Sequence, residues 1–280
     1  MKMTIVAMGL ALAIATPCLG RADVVEKTVM NGDAQVGYSL RGEGPLIVVI
    51  ASTGRSAAEF APMADQLVKR GFRVALPEPR GIGQSTGQME GVSFHDFGDD
   101  FAAVIEQEGG EAIVAGHAYG QWIAKTVATD HPQMVSGLAL IAGGAKSWPS
   151  ELSDAITMIN DPASTPEQRM QGLTLAFFTD EDTAKPWLEG WHQDVTVSQR
   201  AARKLTSREE YWAGGTAPIL DLQAGSDPFR PKSSRLEVQE EFGDRVTVTV
   251  IDGASHALPA AKPVETADAL ADWADALLGR

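Results

Sequence analysis

The chain reads as an α/β protein: a mostly parallel central sheet covered by helices, with a helical insertion past its midpoint. Three observations predict that class. Six runs of strand length, "PLIVVIA", "FRVALP", "EAIVAG", "VSGLALIA", "APILDLQA" and "RVTVTVI", are mostly or wholly apolar, as strands buried on both faces require. Helical patterns fall between several of them, over 57–70, 94–108, 121–129 and 264–278, and alternation of strand with helix is the mark of a doubly wound sheet. The stretch between Ala142 and Ala217 breaks the alternation. It holds Pro149, Pro162, Pro166 and Pro186 and no clear strand. A structureless loop of that length does not suit a compact domain, so helices are expected there.

In chain order, Val24 to Met30 and Ala34 to Leu40 are strand-like, with Asn31-Gly32-Asp33 as a hairpin turn. "PLIVVIA" leads through a Ser/Thr/Gly loop into the helix over 57–70, and "FRVALP" leads through a Gly-rich loop into the helix over 94–108. "EAIVAG" is followed at once by a Gly-rich corner and the helix over 121–129. "VSGLALIA" precedes the insertion; "APILDLQA" and "RVTVTVI" follow it. In the last helix Val264, Ala267, Leu270, Trp273, Ala274 and Leu277 recur at helical spacing. The expected division is a core over 23–146 and 214–280 with a helical cap over 147–213. Trp148, Phe177, Phe178, Trp187, Trp191, Tyr211 and Trp212 gather in that cap and are read first as its own core.

Residues 1–22 have another composition. Lys2 precedes the apolar run "MTIVAMGLALAIA", and Gly20 and Ala22 put small residues three and one positions before a cut after Ala22. That pattern predicts a cleaved secretory signal peptide and a secreted or periplasmic protein. The run is too short for a transmembrane anchor. Cleavage removes Cys18, the only cysteine, leaving neither a disulfide nor a thiol nucleophile. Acidic residues outnumber basic ones, 37 to 23. Loss of Lys2 and Arg21 takes the formal charge from −14 to −16, which disfavours a nucleic-acid partner. The histidines, at 95, 117, 131, 192 and 256, form no short ligand pair, and neither a phosphate-cradling loop nor a dinucleotide fingerprint occurs. No metal and no cofactor are expected.

The chemistry concentrates at three strand ends. After "EAIVAG" the corner is Gly116-His117-Ala118-Tyr119-Gly120, the strand–turn–helix context in which Gly-x-Ser-x-Gly places a nucleophile. "APILDLQA" is followed by Gly225-Ser226-Asp227-Pro228, and "VTVTVI" by Asp252-Gly253-Ala254-Ser255-His256. Nucleophile position, acid and base thus come in the order of an esterase triad, each beyond a strand's C-terminal end. A literal Gly-x-Ser-x-Gly also occurs at Gly83-Gln84-Ser85-Thr86-Gly87. It follows its strand only after Glu78 to Ile82, and no helix starts directly behind it. Ser85 is therefore expected to hydrogen-bond within its loop, and His117 to pack and hydrogen-bond.

With these corners, "ALPEPRGIGQSTG" and "VVIASTGRSAAEFAPMADQL", the chain resembles the α/β-hydrolase superfamily, esterase-like with a helical cap, over nearly all of its mature length. The second stretch is similar to the family's oxyanion strand, loop and helix, but has Ala51-Ser52 where His-Gly is usual. The resemblance implies a carboxylic-ester hydrolase in which a serine at position 118 attacks, His256 is the base and Asp227 orients it. Tyr119 and Ser52 or Thr53 would supply oxyanion N–H groups. Ala118 removes the attacking oxygen, and two explanations remain: a serine-to-alanine replacement that traps intact substrate, or a natural binder on a hydrolase scaffold. The retained acid, base and glycines favour the first. An amide, lactone or carbon–carbon bond hydrolase with the same triad is the further alternative. The expected pocket is walled by Arg55, Phe60, Phe177, Trp187 and Trp191 and takes a small ester with an apolar or aromatic part. Arg55 would pair with a substrate carboxylate or with a neighbouring acid.

Overall fold

The computed structural model describes residues 23–280; the expected leader lies outside them. The first two strands, β1 (Val24–Asn31) and β2 (Ala34–Arg41), form the hairpin. Asn31 pairs with Ala34, so the turn is Gly32-Asp33, one residue tighter than the sequence suggests. The order continues with β3 (Leu46–Ile50), α1 (Ala61–Lys69), β4 (Arg73–Pro77), α2 (Phe94–Gln107), β5 (Ala112–His117), α3 (Gly120–Asp130) and β6 (Val135–Ile141). Between β6 and β7 (Ile219–Ala224) come only helices and loops: α4 (Ser150–Asn160), α5 (Pro166–Ala176), α6 (Glu181–Ala184), α7 (Gln193–Leu205) and α8 (Arg208–Tyr211). The chain closes with α9 (Glu237–Phe242), β8 (Val246–Ile251), α10 (Leu258–Ala261) and α11 (Pro263–Leu278).

The eight strands form one sheet in the order β1-β2-β4-β3-β5-β6-β7-β8. β2 runs antiparallel to both β1 and β4, and the remaining pairs are parallel. β3, β5 and β7 are buried along their whole length, which explains runs without alternation. One face of the sheet packs under α1 and α11 through residues such as Phe60, Met63, Leu270 and Ala274. The other packs under α2 and α3 through Phe94, Phe101, Ile123 and Val127. A third apolar cluster, built on Leu152, Ile159, Leu173, Phe177, Phe178 and Trp187, belongs to the insertion but takes in Phe229 and Ala257 from the loops beyond β7 and β8.

The order also locates a crevice. From β3 the chain first moves outward to β4, then returns to place β5 on the other side of β3. Connections leaving neighbouring strands in opposite directions open a cleft at their C-terminal ends, where open α/β sheets bind ligands. The loop after β3 carries Ser52 and Thr53, and the corner after β5 carries Ala118.

Candidate active site

The corner after β5 is a strained turn. Ala118 has φ 50, one of two non-glycine residues with positive φ among those described, a conformation that costs an L-residue on the order of 1–3 kcal/mol. Its N–H donates to the Ile141 carbonyl at 3.0 Å and its carbonyl accepts from Gln121 at 3.2 Å. Both flanking glycines are required by close approach. A Cβ on Gly116 would lie 2.3 Å from the Gly120 carbonyl oxygen, and one on Gly120 would lie 2.5 Å from that of Ile50. The corner therefore wedges directly beneath the end of β3 and holds residue 118 at its apex.

The loops after β7 and β8 are joined by the Ser226 N–H donating to the Ala254 carbonyl at 2.8 Å. That bond brings the expected acid and base together. His256 Nδ1 donates to Asp227 Oδ2 at 2.8 Å, and the other Asp227 oxygen accepts the Phe229 N–H at 2.8 Å. The Asp227 carboxylate is wholly buried and the imidazole nearly so, between the rings of Phe229 (4.2 Å) and Phe177 (5.4 Å). With Nδ1–H committed to the carboxylate, the Nε2 lone pair is free to take a proton. His117 fixes the same loop from below: its Nε2–H donates to the His256 carbonyl at 2.7 Å. Burial, reinforced by the nearby His256, pushes the His117 pKa down to about 3, so it stays a neutral donor. The insertion reaches this loop as well, through the Ala257 N–H donating to the Phe177 carbonyl at 2.9 Å.

Ala118 and His256 open onto one cavity of about 460 Å³, together with Ser52, Thr53, Tyr119, Phe177 and Trp191. Its size is ordinary for a small-molecule site. Three residues expected in the wall are not in it. Arg55 is 2% exposed; its guanidinium pairs with Glu59 at 2.6 Å, donates to the Glu189 carbonyl at 2.6 Å and lies 4.5 Å from the ring centres of both Trp187 and Trp191. It is buried, committed to Glu59 and the insertion, and does not face the cavity. Phe60 is fully buried, edge-on to His117 at 5.6 Å. Trp187 lies behind the wall, against Phe178 (5.1 Å) and Phe177 (5.4 Å). In their place the cavity is walled by Trp122, Trp148, Phe229 and, from α7, Arg200, Arg203 and Lys204. The three cations recur at i, i+3 and i+4, a pattern readable in the sequence.

Ser85 lies elsewhere. Its Oγ accepts from the Gly37 N–H and donates to the Glu78 carbonyl, both at 2.8 Å, so it fastens its loop to β2 as well as to itself.

Residues 44–261 match the serine aminopeptidase S33 family. The chain belongs to that family and is an α/β-hydrolase. The (E)-2-((N-methylformamido)methylene)succinate hydrolase of Acinetobacter baylyi is 24% identical over 260 residues, covering 89% of this chain and 98% of its own. The rhodomycin D methylesterase of Streptomyces peucetius is 24% identical, covering 78% of this chain and 87% of its own. The crystal structure of E-2-(acetamidomethylene)succinate hydrolase superposes with a TM-score of 0.73 at 20% identity, covering 90% of this chain and all of that one.

Proposed function

We propose that this chain carries the apparatus of a serine-type carboxylic-ester hydrolase with alanine at the nucleophile position. One geometry carries the reading: the strained corner at Ala118 and His256, held by the buried Asp227, open on the same cavity. With serine at 118, His256 Nε2 takes the hydroxyl proton while Oγ bonds to the ester carbonyl carbon. Asp227 holds the imidazole tautomer and stabilises the imidazolium. The oxyanion is met by the Tyr119 N–H, at the start of α3 where backbone donors lack helical acceptors, and by an N–H of the Ser52–Thr53 loop. Collapse breaks the ester C–O bond, His256 returns the proton to the leaving alcohol, and water attacking the acyl group restores the serine.

Ala118 halts this sequence at substrate binding. By analogy with triad serines removed elsewhere, the loss is on the order of 10⁶ in kcat, roughly 8 kcal/mol. We read Ala118 as a replacement that keeps substrate intact, because the acid, the base and both glycines of the corner remain in place. The methylesterase relative supports an ester as the bond broken. The relative acting on an N-methylformamido compound supports a second reading, an amide-type bond cleaved by the same residues.

The test is p-nitrophenyl ester hydrolysis, with short and medium acyl chains, by the chain and by Ala118→Ser. A gain of several orders of magnitude that a further His256→Ala removes is the expected result. A serine variant silent on every ester refutes the ester reading and leaves the amide-type hydrolase and the binding protein.

A further inference from the structure

We propose that the ligand of this cavity is an anion: a molecule with an apolar or aromatic body and a carboxylate that Arg200, Arg203 and Lys204 receive. The proposal takes from the preceding one only the position of the reacting bond; the charge selection stands on the wall itself.

The cavity reverses the sign of the protein around it. Acidic residues outnumber basic ones 37 to 23 along the chain, yet among the residues lining the cavity are three cations and no Asp or Glu. Two helices produce the reversal. α4 turns Ser153, Ile156 and Thr157 to the cavity, while its own acids, Glu151 and Asp154, are outside the lining. α7 turns Arg200, Arg203 and Lys204, which share one helix face. Like charges three and four residues apart repel. None of the three forms an ion pair among the described residues. The helix dipole favours cations in the last turn, which accounts for Arg203 and Lys204 being basic. It accounts neither for Arg200, a turn earlier, nor for a shared face turned to the cavity.

The cationic wall also reaches the reacting end. Arg203 places its guanidinium 4.5 Å from the ring centre of Trp122, and Trp122 stands in the first turn of α3, one turn beyond Ala118. Trp148, Phe177 and Phe229 supply apolar wall on the remaining sides. A ligand that fills the site thus meets aromatic surface along its body and unpaired positive charge at α7. Because the three side chains stand exposed at the cavity's edge, each contributes modestly, and together they are expected to prefer the anion by about tenfold at low salt.

The test uses the chain with Ala118 in place, so that binding is read without turnover. Calorimetric titration compares 4-butyryloxybenzoate and phenyl hydrogen glutarate, with the carboxylate on the alcohol and acyl sides respectively, each against its uncharged primary amide. The expected result is that at least one monoanion binds about tenfold more tightly than its amide. The advantage shrinks in about 0.5 M salt and falls to within about twofold in Arg200→Gln/Arg203→Gln/Lys204→Gln, checked for folding by circular dichroism. Equal affinity within both pairs, a preference for the amides, no saturable binding of either monoanion, or a preference that survives the triple substitution each overturns the proposal. Release of phenol by Ala118→Ser is read separately. A serine variant silent on both esters with intact anion preference refutes the ester reading and leaves this inference standing.

Discussion

Replacing Arg55 should be among the most damaging single changes in the molecule, although Arg55 does not itself line the cavity. Its guanidinium is buried against Glu59, whose carboxyl is itself largely buried. Burial pushes Glu59 up to about 7 even with the arginine's charge beside it. In Arg55→Leu that charge disappears while the carboxyl stays where it is. Removing one member of a buried pair costs about 3–5 kcal/mol, because the other is left uncompensated. In a chain of this size that lowers Tm by roughly 6–15 °C at pH 8. The pH dependence has a definite sign. A carboxyl whose folded pKa is raised binds its proton more tightly folded than unfolded, so its contribution to stability is lost as pH rises from about 4.5 to about 7. Without Arg55 the folded pKa climbs further. The variant's deficit is therefore greatest at pH 8 and shrinks by pH 5.5, where Glu59 is already protonated. Arg55→Leu/Glu59→Leu removes the stranded acid and should recover about half of the loss. Thermal melts of the parent, Arg55→Leu, Glu59→Leu and the double variant at both pH values close the cycle. A single variant losing under about 1 kcal/mol at pH 8, or a double variant as damaged as the single at both pH values, refutes the reasoning.

Three other outcomes are expected. In the Ala118→Ser background, Asp227→Asn should lower kcat on p-nitrophenyl butyrate by about 10⁴ with little change in KM, since the wrong imidazole tautomer faces the nucleophile; a loss under tenfold would remove Asp227 from the triad. Ser85→Ala should cost about 1–3 kcal/mol in urea denaturation, stranding the Gly37 N–H and Glu78 carbonyl. In the Ala118→Ser background it should leave ester hydrolysis intact, whereas abolished turnover would reinstate Ser85 as a nucleophile. Expressed from Met1 in a secreting bacterium, the protein should begin at Asp23 on N-terminal sequencing, and retention of Met1 would count against export.

The six apolar runs became β3 to β8 within a residue or two of their expected limits; burial on both faces leaves that trace in β3, β5 and β7, whereas β8, at the edge of the sheet, is only partly buried. The region over 57–70 was less legible. It reads as one helix but starts as a 3₁₀ turn, Ala57–Phe60, before α1. The Glu78 carboxylate, twenty-odd residues away, accepts the N–H groups of Ala57 and Ala58 there, and no local pattern announces such a cap. At the site, Ala118, Asp227 and His256 could be found because each follows a recognisable strand in a fixed order. The pocket wall could not, since it depends on which faces of the insertion's helices turn inward. Trp187 and Trp191 are four residues apart, yet only Trp191 reaches the cavity. Glu59 lies only four residues from Arg55, but the groups that bury the guanidinium, Glu189 and the two tryptophans, are more than a hundred residues distant, so the sequence leaves Arg55 looking available for substrate.

The hydrogen bond from Ala257 to the Phe177 carbonyl bears on how such proteins are re-engineered. It makes the insertion and the loop bearing the imidazole a single jointed part. An insertion transplanted from a relative would bring its own pocket wall, but would also shift the loop bearing His256 relative to residue 118. In the Ala118→Ser background, hybrids assembled by exchanging the segment between β6 and β7 should therefore bind new ligands before they turn them over. Recovering turnover would require rebuilding the contact between positions 177 and 257 at the same time.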